Sequence, residues 1–437
     1  MATKHLPYDE RITSPLLFFY PMFHPIYDQI TNEKRNFFQD SLKVKRLTPN
    51  SAEVYIHIPF CDSFCHMCAC YKTHTPKDVR EMKDYVEKLK REIAYYAGSE
   101  YVQSLDIQCV HIGGGTPSAL TSALLYDLLT FVRDSFSLKP DTEITVEGEV
   151  CSLKNKEKIN SLRKAGCNRI SFGIQTFNPL SRKLSGLIST REEIKECIKN
   201  LRGFEYQINF DLMFGLPGQS FKVWEEDLAQ ALDMGADGLD VYELVLYPTT
   251  KLFQFRHKVS LVDDDERLDM LEYAIKYLNQ NGFEQKSNAV FEKPNNMWNK
   301  ISIYYNAPSY PDCIAIGDNA IGCINNFAYR NHSPIDMYMA WDESPNLPIR
   351  LGLKLDEEDQ LAKRIWILPK LLKIKKKNVE DVMSHYQEPL NLLFQKGLIR
   401  EDEEHISLTD LGLLWTDNIF MEFTPQKQKN RMWKIMY

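Results

Sequence analysis

From Val54 to Leu246 the chain alternates short apolar runs with amphipathic stretches, and this rhythm restricts the fold more than any other feature. The runs are "VYIHIPF", "DIQCVHIGG", "EITVEGEV", "NRISFGIQ", "QINFDLMFG" and "GLDVYELVL". Helical patterns lie between them at 78–98, 117–136, 153–166, 190–203 and 219–235. In "VREMKDYVEKLKREIAYY" apolar residues recur every three or four positions with charges between, as on a surface helix. Several runs are apolar nearly throughout, which fits a parallel sheet covered by helices. Six strand–helix units predict an α/β fold, an open or partial (β/α)6 barrel, over residues 51–250.

The 437 residues exceed one ordinary core, so the flanks need their own roles. Residues 1–50, with the proline-rich aromatic cluster "LLFFYPMFHPIY", are expected to form a packed, irregular N-terminal cover. Residues 251–350 extend the barrel: "LDMLEYAIKYLNQNGF" is a helix stopped by Asn-Gly, and "PDCIAIGDNAIGCINNFAYRN" adds strands and loops beside the substrate. Residues 351–437 are mostly helical and end with the strand-like "GLIRED" and "HISLTD", a winged-helix-like arrangement expected to cover the substrate. A hydrophobic share of 43% and a charged share of 26% are those of a soluble protein, and a net charge of −7 argues against nucleic acid as the main partner. No signal peptide is visible, and Pro15–Phe23 is about half the ~18 residues of a membrane span, so a cytoplasmic protein is expected.

In that compartment clustered cysteines read as metal ligands or redox groups. Of ten cysteines, Cys61, Cys65, Cys68 and Cys70 share the loop "CDSFCHMCAC" directly after the first strand. Three thiolates there can converge on one centre. Zinc with Cys70 as a fourth ligand is one reading; an iron–sulfur cubane held by three thiolates, with one iron open to a small molecule, is the other. At the end of the second strand, "HIGGGTP" places Gly113, Gly114 and Gly115 where a ligand can approach the backbone, with Thr116 and Pro117 suited to a helix start.

Taken together, "YIHIPFCDSFCHMCACYK", "HIGGGTPSAL", "ITVEGE", "NRISFGIQTFN", "NFDLMFGLPGQ" and "IAIGDNAIG" resemble the radical S-adenosylmethionine (SAM) superfamily, in the HemN-like group related to oxygen-independent coproporphyrinogen III oxidase. The resemblance covers about residues 50–345. It implies that Cys61, Cys65 and Cys68 bind a [4Fe–4S] cluster whose open iron is chelated by SAM. It further implies that Gly113, Gly114, Gly115 and Thr116 receive the methionine amino group, that Glu147, Gln175 and Asp211 lie along bound SAM, and that Tyr55 stands beside the cluster. Tyr55, Cys70 and Gln175 are the catalytic candidates. His57 is a weaker one, outside the ligand set. Strand alternation agrees: Glu147 with Glu149, Ser171 with Gly173 and Gln175, and Asn209 with Asp211 and Met213 are each expected on one face, where a polar cofactor would offset their burial.

Family members carry an arginine after "GIQTFN" that meets a cofactor carboxylate. Its counterpart here is Leu187, with Arg182 or Arg191 as substitutes. With that anchor lost and a two-cofactor pocket kept, the resemblance implies a second SAM and methyl transfer or cyclopropanation on an aromatic or heteroaromatic substrate. Coproporphyrinogen oxidation, radical haem degradation and a haem chaperone are the alternatives. A flavodoxin- or ferredoxin-type protein is the implied electron donor. Tyr242, Glu243 and Tyr304 are candidate walls of the substrate pocket.

Overall fold

The computed structural model describes residues 7–13, 28–47, 50–294, 311–341 and 347–430. Six parallel strands run in chain order: β1 (Ser51–Ile58), β2 (Asp106–Gly114), β3 (Glu143–Gly148), β4 (Arg169–Gln175), β5 (Gln207–Phe214) and β6 (Gly238–Glu243). Helices α1 (Val79–Ala97), α2 (Ser122–Ser135), α3 (Lys156–Lys164), α4 (Arg191–Arg202) and α5 (Phe221–Asp233) connect them. Each begins at a side chain that satisfies its open amides: Asp78, Thr121, Asn155, Thr190 and Ser220. At Thr190 the bond is reciprocal, because Glu193 answers the cap amide. The span expected as one helix over 117–136 is a short turn, Pro117–Ala119, followed by α2, since Thr121 starts the helix anew.

The strands are less uniformly apolar than expected. Ala52, Val54, Ile56 and Ile58 are buried against the helices, as are Ile170 and Phe172 in β4 and Ile208, Phe210, Leu212 and Phe214 in β5. Between them Tyr55, His57, Ser171, Asn209 and Asp211 face the other way, into the barrel. The helix-covered face builds the core and the inner face carries the chemistry.

A seventh parallel strand, β7 (Asp312–Ile316), joins β1 from the other side. Beyond it lie antiparallel β8 (Ile321–Ile324), β9 (Phe327–Asn331) and β10 (Ile349–Lys354), which extend one continuous sheet that counts thirteen strands among the described residues. The N-terminal region is more regular than expected, with a strand at Asp28–Gln29 and a helix at Asn32–Ser41 whose Phe38 stacks on Phe327; the aromatic cluster itself and Tyr304 lie outside the described residues. Near the C-terminus, strands Lys373–Lys375, Ile399–Glu401 and His405–Leu408 form a small sheet flanked by helices, in keeping with a winged-helix-like unit. No described helix is long and apolar enough to cross a membrane.

One buried carboxyl ties α1 to this extension. Glu92, fully buried, accepts from Gly317 N (3.0 Å), Asn331 Nδ2 (2.7 Å) and the Tyr338 hydroxyl (2.7 Å). Burial raises its pKa from 4.5 to about 7. The folded state therefore holds a proton that the unfolded chain releases, so this group's contribution is whole below pH 4.5 and is lost as pH climbs towards 7. The difference amounts to about 3 kcal/mol. Urea titrations across that window are expected to show wild type losing stability relative to Glu92→Gln by that order; parallel pH profiles for the two proteins would contradict the assignment.

Candidate functional site

The cysteine loop is pinned at both ends. Strand Phe60–Cys61 pairs with Thr73–His74, and Thr75 N donates to Cys61 O (3.1 Å). Inside the loop His66 reaches helix Pro179–Ser185: its amide donates to Ser185 O (2.8 Å), and its Nδ1 lies 2.9 Å from Leu184 O. Gly186, at φ +71°, leaves room for the imidazole, which a Cβ there would meet at 2.8 Å. Lys72 Nζ donates to the Cys68 and Cys70 carbonyls at 2.9 and 3.0 Å.

The three thiols are gathered but not neutralised. Cys61 accepts from Thr116 Oγ1 at 3.5 Å. Burial pushes the Cys61 thiol up, and burial together with Cys68 and Glu149 pushes Cys65 up to about 12. Cys68 differs, because its hydrogen bond with Cys70 and the nearby Lys72 lower it to about 6; the two raised sulfurs become thiolates beside a positive centre such as a metal cluster. Among the described residues no three His, Cys, Asp or Glu side chains converge on a point suited to a single metal ion. A zinc site needs all its sulfurs ~2.3 Å from one atom. A cubane places each thiolate on its own iron and asks only for proximity. The donor set fits the cubane.

The glycine turn lies directly against this loop. Gly115 N donates to Ile58 O (2.8 Å) and Thr116 N to Phe60 O (2.7 Å). A Cβ on Gly115 would stand 2.8 Å from Phe60 O, and one on Gly113 would stand 2.6 Å from Glu147 Oε1. Glu147 bridges the turn and β2: its Oε1 is 2.7 Å from His111 Nε2, and its Oε2 accepts from Gly114 N at 3.2 Å. His111, one residue from the glycines on the same face as Gly113, was not singled out from the sequence; its place two before "GGG" on a strand is the signal that could have found it.

Across the interior, Asp211 Oδ1 accepts from Ser171 Oγ (3.0 Å) and Asn209 Nδ2 (3.2 Å). Burial, with Asp240 and Glu147 nearby, raises the Asp211 carboxyl well above its ordinary range. Asp240 was also missed; it lies opposite Asp211 in β6 and accepts from the Tyr242 hydroxyl at 3.2 Å. Gln175 ends β4 in a bulge at φ +66°, and its buried Oε1 has no hydrogen-bond partner. The backbone strain costs of order 1–3 kcal/mol and the orphaned oxygen about as much again. A ligand donor at that point would recover the second cost. Tyr55, Asp211 and Tyr242 are half-buried on the inner face of the sheet, and Cys70, exposed in its loop, lies within electrostatic reach of Tyr55 and Glu147, so these groups face the interior of the barrel. Tyr247, near Cys70, closes the same side. The Tyr55 hydroxyl is 3.0 Å from His57 Nδ1, and burial holds His57 neutral, lowering it to about 4.

Three expectations need correction. Glu149 does not share a face with Glu147: β3 ends at Gly148, and Glu149 lies beyond it beside Cys151 and Asp62. Glu243 does not line the pocket, because it alternates with Tyr242 and points outwards to Arg11 (2.8 Å) and Arg267 (3.2 Å). Neither proposed arginine takes the place of Leu187. Arg182 spends its Nε on Ser189 O and its Nη1 on Ile174 O and Thr176 O, and Arg191 is exposed at the start of α4. Leu187 instead packs with Cys65, Met67, Met213, Leu244 and Leu246 in an apolar wall beside the cysteine loop.

Comparison with known proteins agrees with this arrangement. The radical SAM superfamily profile matches residues 55–231. The chain is 31% identical over 378 residues to the anaerobilin synthase of Escherichia coli O157:H7, covering 85% of this chain and 83% of that one. It is 30% identical over 391 residues to the haem chaperone HemW of Lactococcus lactis, covering 86% and 97%. In fold it matches the coproporphyrinogen III oxidase of Escherichia coli, described as a radical SAM enzyme, with a TM-score of 0.79 at 24% identity over 93% of this chain and 96% of that one.

Proposed function

The chain belongs to the radical SAM superfamily and, within it, to the HemN-like proteins; from that premise we propose an enzyme that transfers a methyl-derived carbon from a second SAM to an unsaturated carbon of a tetrapyrrole, with haem as the first substrate to test. The family's cofactors are a [4Fe–4S] cluster and SAM, which when bound supply a carbon radical able to attack unactivated positions. Cys61, Cys65 and Cys68 hold the cluster in this reading. Gly113 to Thr116, Glu147, Gln175 and Asp211 hold SAM, and Tyr55 packs beside it. Gln175 Oε1 takes a donor from the cofactor, and the Asp211 carboxyl, raised well above its ordinary range by burial, lies along it. A flavodoxin- or ferredoxin-type donor supplies the electron, which fits a cytoplasmic location. The relatives' names, haem chaperone and coproporphyrinogen oxidase, favour a tetrapyrrole over other heteroaromatic substrates.

The observation that carries the reading is Cys70: an exposed thiol beyond the three proposed ligands, two residues from Cys68 and hydrogen-bonded to its sulfur, within electrostatic reach of Tyr55 and Glu147. Cleaving SAM has no use for it. Completing a carbon–carbon bond has, because the substrate radical left after addition would be quenched by one electron from the flavodoxin- or ferredoxin-type donor and one proton, which the Cys70 thiol would deliver. Incubation with methyl-deuterated SAM and haem is expected to give a tetrapyrrole heavier by the labelled group; an unlabelled, decarboxylated product from coproporphyrinogen alone would overturn it. Cys70→Ser is expected to keep its iron and its 5′-deoxyadenosine formation while losing about a hundredfold in labelled product, measured by mass spectrometry. Equal product from both proteins would remove Cys70 from the reaction.

A further inference from the structure

The sheet extension carries a cluster of positive groups that nothing above has used. Tyr329 in β9 bonds to Ala315 through its hydroxyl and packs on Phe38 and Tyr96, so it faces the helices. Its neighbour Arg330 therefore faces the opposite way, on the side shared with Cys323, Cys313 and, through the β7–β1 pairing, Tyr55. Arg330 also lies at the active end of the sheet. Its guanidinium donates to Asn319 Oδ1, Nε at 2.8 Å and Nη2 closer still, and Asn319 belongs to the turn that follows β7. In that turn Gly317 lies so close to β1 that a Cβ would meet His57 O at 2.7 Å.

Three more nitrogenous groups stand behind it. Arg350, across the β9–β10 bulge, donates Nη1 to Ser333 O at 2.8 Å. His332 keeps a buried Nδ1 without a partner and is held neutral by burial and by Arg35 and Arg350. Arg35 donates to Leu347 O (3.0 Å) and Ile349 O (3.5 Å). Every acceptor in this set is an amide or a backbone carbonyl. Among the described residues none of the three arginines pairs with a carboxylate, while Arg11, Arg202, Arg267 and Arg364 do. The nearest acid on the turn, Asp318, faces Tyr71 and Ser333 and is pushed up to about 7 by burial. Burial first, and Arg350 second, lower the Arg330 guanidinium to about 10. Arginine cannot escape such a site by giving up its proton, so the charge calls for an anion.

We infer that Arg330, with Arg350 behind it, is the anchor for a carboxylate side chain of the substrate, a specificity site on the sheet extension separate from the cofactor row. The inference rests on the tetrapyrrole reading for the identity of the substrate but not for the existence of the anion site. Spent on neutral acceptors, a guanidinium fork still has N–H groups free for bidentate capture of a carboxylate. Fixed to the sheet by Asn319, it would set how a planar macrocycle enters the barrel interior beside Tyr55 and Cys70.

Two probes test this on the full-length reconstituted protein. Haem is expected to bind wild type at least about tenfold more tightly than haem dimethyl ester, and Arg330→Gln is expected to lose that factor for haem with ester binding unchanged. Arg330→Lys, which keeps a charge but not the fork, is expected to fall between. Glutarate, a dicarboxylate with no macrocycle, is expected to raise the melting temperature of wild type and not of Arg330→Gln. If no tetrapyrrole binds but glutarate still discriminates, the proposed substrate is wrong and the anion site stands. If haem and its ester bind equally, or Arg330→Gln weakens both alike, and glutarate does not tell the variant from wild type, the inference is overturned.

Discussion

Cys68→Ala is expected to fold as wild type does and to retain no brown, oxygen-bleached chromophore after reconstitution, with SAM cleavage falling to background. Within the loop this sulfur bonds to Cys70 and Lys72, and the backbone-to-backbone bonds that set the loop's shape do not involve it. The Cys68 amide donates to Cys65 O at 3.3 Å and its carbonyl is held by Lys72, while His66 anchors the loop to Leu184 and Ser185 and its carbonyl accepts from Leu252 N at 2.8 Å. Alanine removes a proposed ligand and leaves each of those bonds. Two thiolates cannot hold a cubane against loss of iron, because each missing ligand exposes another corner to exchange. Iron and sulfide content with thermal melting of the apo-protein checks the pair of expectations. A variant that melts early would show the loop to be structural, and one that keeps full iron would take Cys68 out of the ligand set.

The other large effect is expected at Gly115. An added Cβ would stand 2.8 Å from both Phe60 O and the Pro59 carbonyl carbon, and backbone cannot swing aside as a side chain can. The turn would have to move, breaking Gly115 N to Ile58 O, Thr116 N to Phe60 O and the Thr116 contact to Cys61. Overpacking of this kind costs about 1–3 kcal/mol, here concentrated where the cysteine loop meets the cofactor turn. Gly115→Ala is expected to lose that much stability, most of its cluster and at least about tenfold in SAM affinity. A Cβ on Gly113 would first meet the Glu147 carboxylate, a side chain that can shift by loosening its bonds to His111 and Gly114. Gly113→Ala is expected to keep its cluster and weaken SAM alone, as measured by equilibrium dialysis against iron content. If both alanine variants behave alike, the separation between cluster and cofactor sides of the turn is wrong.

The barrel was legible because its strands and helices differ in local period. β2 and β5 are read from "DIQCVHIGG" and "QINFDLMF" almost to the residue. Helix Asn32–Ser41 was not, because its apolar contacts are made with Phe327 and Tyr329, some three hundred residues away. The inner face was legible only in part. Ser171, Asn209 and Asp211 follow from alternation, whereas the bulge at Gln175 and the early end of β3 at Gly148 break it in ways that depend on the neighbouring strand. Arg182 had the right chemistry for the missing anchor, yet the carbonyls of Ile174, Thr176 and Ser189 claim it. The company kept by Arg330 depends on pairing between strands whose order along the chain says little about their faces.

The proposed function places two SAM molecules in the barrel interior beside a cluster on Cys61, Cys65 and Cys68. Its most direct test is anaerobic turnover of the reduced, reconstituted protein with haem, in which 5′-deoxyadenosine and S-adenosylhomocysteine are quantified together. Both are expected to form, in step with the loss of haem. Haem bound stoichiometrically and left intact, with neither nucleoside produced by a protein whose cluster is complete, would contradict it.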